Sequence, residues 1–182
     1  MKAFARLYVE LDATTSTHRK LDALKRYYAD VAAADAAWAT YFLAGGRPRQ
    51  SVPTKLLREC AIEGAGLPQW LFDECYEAVG DFAETVAHVL PPAARDTDFG
   101  LAEWVARLTS LRGAEAGVVR ARLVAYWDEL DWNGRFLMLK LIGGGFRVGV
   151  SRLLVTRALA EQGLDASSFD TEYDEDAAEA GA

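Results

Sequence analysis

Apolar residues recur at intervals of three and four along almost the whole chain: Phe4, Leu7, Tyr8 and Leu11, then Leu21, Leu24, Tyr27, Tyr28 and Val31. Side chains at that spacing share one face of a helix, so the pattern predicts amphipathic helices. The polar cluster Thr14-Thr15-Ser16-Thr17 separates the first helix from the second, and a hydroxyl there can cap the free first-turn amides. A third helix is expected over 35–43, stopping at Gly45-Gly46. Pro53 opens a fourth, bearing Leu56, Leu57, Cys60 and Ala61. After the reset at Gly66-Leu67-Pro68, two apolar sets fill one or two more helices before Pro91-Pro92. The first is Trp70, Leu71, Cys75, Tyr76 and Val79; the second is Phe82, Val86 and Leu90. The stretch 93–100 reads as the longest polar loop. Helices follow over 101–111, 118–130 and 134–142, with a last one at about 151–162. No alternation of period two lasts long enough to name a strand, and no repeat of fixed period is present. The expected fold class is all-α, a single multi-helix domain over 1–164.

Length and composition agree with that reading. The 182 residues suit one domain with one hydrophobic core. No apolar run approaches the ~18 residues of a membrane span, and no apolar signal core follows the N-terminal charges. The chain is therefore expected to be cytoplasmic, without a membrane partner. Cys60 and Cys75 sit singly in apolar helical patterns and read as core thiols, not as a disulfide or a zinc site.

The net charge of −7 argues against nucleic acid only until its distribution is considered. All 20 Lys and Arg residues precede Glu161, while 8 of the 27 acidic residues lie from Glu161 onward. The body thus sets 20 basic residues against 19 acidic ones, a balance of +1. The acidity belongs to a tail, 165–182, so poor in apolar residues that burial cannot offset its ordering entropy; it is expected to be disordered.

Chemistry is suggested most clearly by the run from Lys140 through Gly143-Gly144-Gly145-Phe146-Arg147-Val148-Gly149-Val150-Ser151-Arg152. Glycines expose backbone amides, and the helix that follows presents its own unpaired N–H groups and partial positive charge. Phosphate is the natural ligand of such an element, with Lys140, Arg147 and Arg152 adding charge. A plain helix–helix turn with solvated arginines fits the same residues. Arg47 and Arg49, beside Pro48, form a second basic loop. Thr14 to Thr17 with Arg19 and Lys20 form a third, polar-basic helix start. Three such elements could track a duplex backbone without reading sequence. His18 and His88 lack metal-ligand spacing and receive no role. Asp73, Glu74, Asp128, Glu129 and Asp131 read as acids on solvated faces. Trp38, Trp70, Trp104, Trp127 and Trp132 fall within apolar periodicity and read as core.

Three segments in this order carry a resemblance. They are Phe4-Ala5-Arg6-Leu7-Tyr8 leading to Leu11-Asp12-Ala13-Thr14-Thr15-Ser16-Thr17, then Tyr41 to Gln50, then Gly143 to Ser151. Together they resemble the N-terminal domain of bacterial ATP-dependent DNA ligases, over Met1 to about Leu164. The resemblance implies an all-α DNA-binding domain lying on the minor groove across a nick, closed into a ring by a nucleotidyltransferase domain and an OB fold. The family's Arg-x-Gly element matches Arg147-Val148-Gly149, and its neighbouring glycines match Gly144 and Gly145. The same resemblance carries over Thr14, Thr15, Ser16 and Thr17, and Arg47 and Arg49, as backbone contacts; Lys140, Ser151 and Arg152 join them as expected contacts because they flank the glycine run. The implied partner is double-stranded or nicked DNA, with a ligase catalytic domain in cis or in trans. The departure is equally plain. None of Lys2, Lys20, Lys25, Lys55 or Lys140 is followed by x-Asp-Gly, so the lysine that the family adenylates has no counterpart here. No cofactor is expected in this chain, since ATP and Mg belong to domains it does not contain. The chain is expected to be a stand-alone version, a truncated product or an excised domain. The competing expectation is a helical protein–protein module derived from the ligase domain, because fold alone does not fix function.

Overall fold

The computed structural model describes residues 1–48, 50–143, 146 and 148–163; the acidic segment 165–182 lies outside the described residues. The described residues form ten helices and no strand. In chain order these are α1 (Lys2–Asp12), α2 (Thr17–Asp30), α3 (Ala33–Leu43), α4 (Thr54–Ala65) and α5 (Gln69–Val79). They continue with α6 (Phe82–Val89), α7 (Leu101–Thr109), α8 (Ala116–Asp128), α9 (Trp132–Gly143) and α10 (Arg152–Glu161). The all-α expectation holds. The stretch with one or two expected helices resolves into two, α5 and α6, because Gly80 ends α5 in the left-handed conformation at φ 78° and Asp81 at once caps α6. None of the helices is long and apolar enough to cross a membrane.

Backbone packing divides the chain into two compact units. Unit one comprises Met1–Ala5 and the described part of Arg47–Phe146; unit two comprises Arg6–Gly46 and the described part of Arg147–Ala182. Helix α1 therefore starts in the first and continues in the second.

In unit one, α6 packs along α9 and also meets α5 and α4, while α4 meets α8. Phe72, Val86, Trp104, Leu123, Leu137 and Met138 are fully enclosed. Polar side chains tie the loops to this core. The Asp81 carboxylate accepts the Glu84 amide at 2.9 Å, capping α6, and pairs with the Lys140 ammonium from α9. Burial alone would push Asp81 upward, but the Lys140 and Glu84 hydrogen bonds outweigh it and hold its pKa below the ordinary value. Asp128 accepts the Ala94 amide at 2.9 Å, and Asp131 accepts the Gly134 amide at 2.8 Å at the start of α9. Asp73 pairs with Arg58, and Glu129 with Arg107 at 2.9 Å. The acids expected on solvated faces thus include several that organise turns and helix ends.

The tryptophans divide. Trp104 and Trp127 are core and Trp38 is partly buried, but Trp70 is 66% exposed and Trp132 37% exposed, against expectation. In α5 only Phe72 is enclosed, turned onto Phe82, so the apolar residues of that helix spread over more of its circumference than the core can cover. Trp132 lies flat on Phe136 at 5.5 Å and beside His88. Cys60 is buried, whereas Cys75 is only half-buried, a partial correction to its reading as a core thiol.

In unit two, α10 packs along α2 and meets α3. Leu21, Leu24, Tyr27 and Tyr28 of α2 and Leu154, Val155, Ala158 and Leu159 of α10 are buried. Tyr28 receives the Thr40 hydroxyl from α3 at 3.1 Å, and burial raises its pKa to about 12, so it stays neutral. The Gly45-Gly46 stop is sterically required. Gly45 has φ 101°, and a Cβ on Gly46 would stand 2.6 Å from the Tyr41 carbonyl oxygen, whose hydrogen bond from the Gly46 amide closes the turn.

Candidate nucleic-acid interface

Two helix starts meet in unit two. At the first, Ser16 is the N-cap of α2, its hydroxyl accepting the Arg19 amide at 3.4 Å while its own amide donates to Thr14 Oγ1 at 3.1 Å. At the second, Ser151 is the N-cap of α10 and accepts the Leu154 amide at 3.2 Å. The Lys20 ammonium joins them, donating to the Gly149 carbonyl at 2.7 Å. Five residues further along α2, Lys25 pairs with Glu161 at the far end of α10 at 2.9 Å. Because both pairs advance in the same order, the two helices run in the same sense and begin at the same end.

That end is electropositive for three reasons. Each helix N-terminus carries about half a positive charge on its unpaired amides. The Lys20 ammonium has three donors, of which Gly149 takes one. Arg19 and Arg152 are exposed, and among the described residues no ion pair neutralises either. Gly149 holds φ 60°, which favours glycine, and a Cβ there would lie 3.6 Å from Lys20 Nζ, an ordinary contact with the flexible end of that side chain. Thr15 and Thr17 are exposed beside the α2 cap, and Thr14 is partly so. Such an end can hold an anion through backbone amides and two kinds of cation.

The structure therefore brings Thr14, Thr15, Ser16 and Thr17 to the same place as Gly149, Ser151 and Arg152. Lys20, which the sequence offers only as part of a polar-basic helix start, is the side chain that connects them. The exposed Arg47 belongs to unit one. Lys140 also belongs to unit one, where it is paired with Asp81 and lies over the Phe136 ring at 5.2 Å. Arg49, Gly144, Gly145 and Arg147 lie outside the described residues. His18, 84% exposed at its side chain, approaches Asp22, and His88 approaches Glu84 and Trp132. Among the described residues no group of three or more His, Cys, Asp or Glu is placed to hold a metal ion.

No curated protein matches the chain. A family model does: the one described as DNA ligase N terminus matches residues 1–160, covering every described helix but the last residue of α10. With so much of its length accounted for, and an all-helical fold, the chain belongs to the DNA ligase N-terminal domain family.

Proposed function

We propose that the chain is the sequence-independent DNA-binding module of an ATP-dependent ligase of the bacterial type, gripping the phosphate backbone of nicked or intact duplex across the minor groove. The observation that supports it best is the shared start of α2 and α10, where Lys20 and Arg152 stand at two helix N-termini in a member of the ligase family. Amides and cations so grouped match a phosphate in charge and in hydrogen bonding, and contacts of that kind fix position without reading bases. Arg147, with Gly144, Gly145 and Gly149, extends the same element in sequence; Arg47, Arg49 and Lys140 are proposed as further backbone contacts. The chain performs no ligation alone, because none of its lysines stands in a Lys-x-Asp-Gly motif. ATP and Mg²⁺ enter only with a catalytic domain, supplied in cis or in trans.

The test is fluorescence anisotropy on nicked and intact duplexes across a salt series, with wild type beside Arg147→Ala. Binding should weaken steeply with salt as counterions are released, and the variant should lower the log–log slope by about one. Failure to bind even at low salt would favour the second reading, a protein–protein module, for which the exposed Trp70, Tyr76 and Val79 of α5 are the specific support. The acidic tail competes with DNA for cationic groups in this scheme. Removing the residues after Leu164 is then expected to tighten binding at low salt, and an unchanged affinity would take the tail out of the account.

A further inference from the structure

Leu153 is the most exposed large apolar side chain among the described residues, at 79%, and it sits in the first turn of α10 directly after Arg152. Its apolar neighbours on the helix behave otherwise: Leu154, Val155, Ala158 and Leu159 are all 8% exposed or less. A lone exposed leucine is unremarkable on most surfaces. Here, however, it stands at the cationic end of unit two, beside Arg152 and on the helix whose start Lys20 reaches through Gly149. A surface made only to attract phosphate has no use for an isobutyl group in that position.

We propose that Leu153 is an apolar wedge that enters the minor groove between the phosphates held by the surrounding cations and favours a nick over intact duplex; this rests on the DNA-binding reading above. The chemistry of the groove supports the assignment. Its rims are anionic phosphate, matching Arg152, Lys20 and two helix starts, while its walls are deoxyribose carbon, matching leucine. The groove of B-form duplex is ~6 Å wide, room for one aliphatic side chain, and groove-binding proteins insert leucine between base steps at the cost of some stacking. A broken strand lowers that cost, so the wedge should act mainly on nicked DNA.

Anisotropy at fixed salt, with wild type, Leu153→Ala, Leu153→Met and Arg152→Ala on nicked and intact duplexes, tests this. Leu153→Ala should weaken nicked-DNA binding about five- to tenfold, intact-DNA binding less, and leave the salt slope unchanged, because losing apolar contact releases no counterion. Leu153→Met should retain the preference, and Arg152→Ala should reduce the slope by about one on both duplexes. The side chain is exposed, so the variants should fold; circular dichroism melting checks that. Equal binding by wild type and Leu153→Ala, with salt dependence intact, would overturn the wedge alone and assign the leucine to a protein contact. Absence of binding by wild type would overturn the DNA-binding reading and the wedge with it.

Discussion

Replacing Lys20 and Arg152 together by glutamate should lower affinity for nicked duplex about a hundredfold or more at 0.1 M salt, the largest loss expected of any pair in unit two. Each substitution removes a cation and installs an anion where the proposed interface would meet phosphate. Two unit charges ~4 Å apart at the protein surface interact by a few kcal/mol, and screening reduces this beyond about 10 Å. Two contacts turned into two repulsions should also lower the log–log salt slope by about two. The Lys20 change breaks its hydrogen bond to Gly149, so Arg152→Glu alone is the necessary companion: it leaves that bond in place and should still cost about tenfold. A double variant that melts like wild type and binds DNA equally well at matched salt would remove this end of unit two from the interface.

The elements behind that prediction were legible in the sequence to different depths. The helices themselves were readable because their apolar stripes are interrupted by residues with a mechanical reason to interrupt. Gly66 ends α4 in the left-handed conformation and Ser16 caps α2; Gly80 and Ser151 do the same for α5 and α10, but the sequence leaves open whether one helix or two follow Pro68 and names no cap for α10. The hydroxyls thus appear where the pattern put them, although two are already committed to their own helices, leaving backbone amides and cations as the groups better able to meet a ligand. The meeting of the two helix starts was not readable. Lys20 and Gly149 are 129 positions apart, and a helical lysine reads as a solvated charge unless its distant carbonyl is known. Lys140 shows the same limit: beside a glycine run it reads as a phosphate ligand, and its pairing with Asp81, 59 residues earlier, is equally out of the sequence's reach. Trp70 and Trp132 fell in apolar periodicity but outside the core, since periodicity reports which side chains share a face and not whether a neighbour covers it. The division into two units arises the same way. The chain passes between them within α1 after Ala5, near Gly46 and again near Phe146, and only tertiary packing marks those places.

Arg135→Met should destabilise unit one by about 3 kcal/mol, a fall in melting temperature on the order of 10 °C. Arg135 is only 4% exposed, although it is a charged residue on α9. Its Nε donates to the Trp127 carbonyl at 2.8 Å near the end of α8, and its Nη1 to the Pro91 carbonyl at 2.7 Å beyond α6. Burial pushes its pKa down while Asp128 and Asp131 push it back up, and an arginine so placed stays charged at neutral pH. Methionine preserves most of the aliphatic stem and volume, so little of the loss would come from a cavity. What disappears are two charge-assisted hydrogen bonds, leaving their acceptors in place at ~1–3 kcal/mol each. Relief from burying a cation works in the other direction. That relief can make removal of a whole buried pair neutral, but here the carbonyls cannot be removed with the guanidinium. Arg135→Lys should recover at most half, because a single ammonium lacks the fork that reaches both acceptors. Thermal melting followed by circular dichroism checks both, and a methionine variant melting with wild type would show that α8, α9 and the Pro91 turn are held by apolar packing alone.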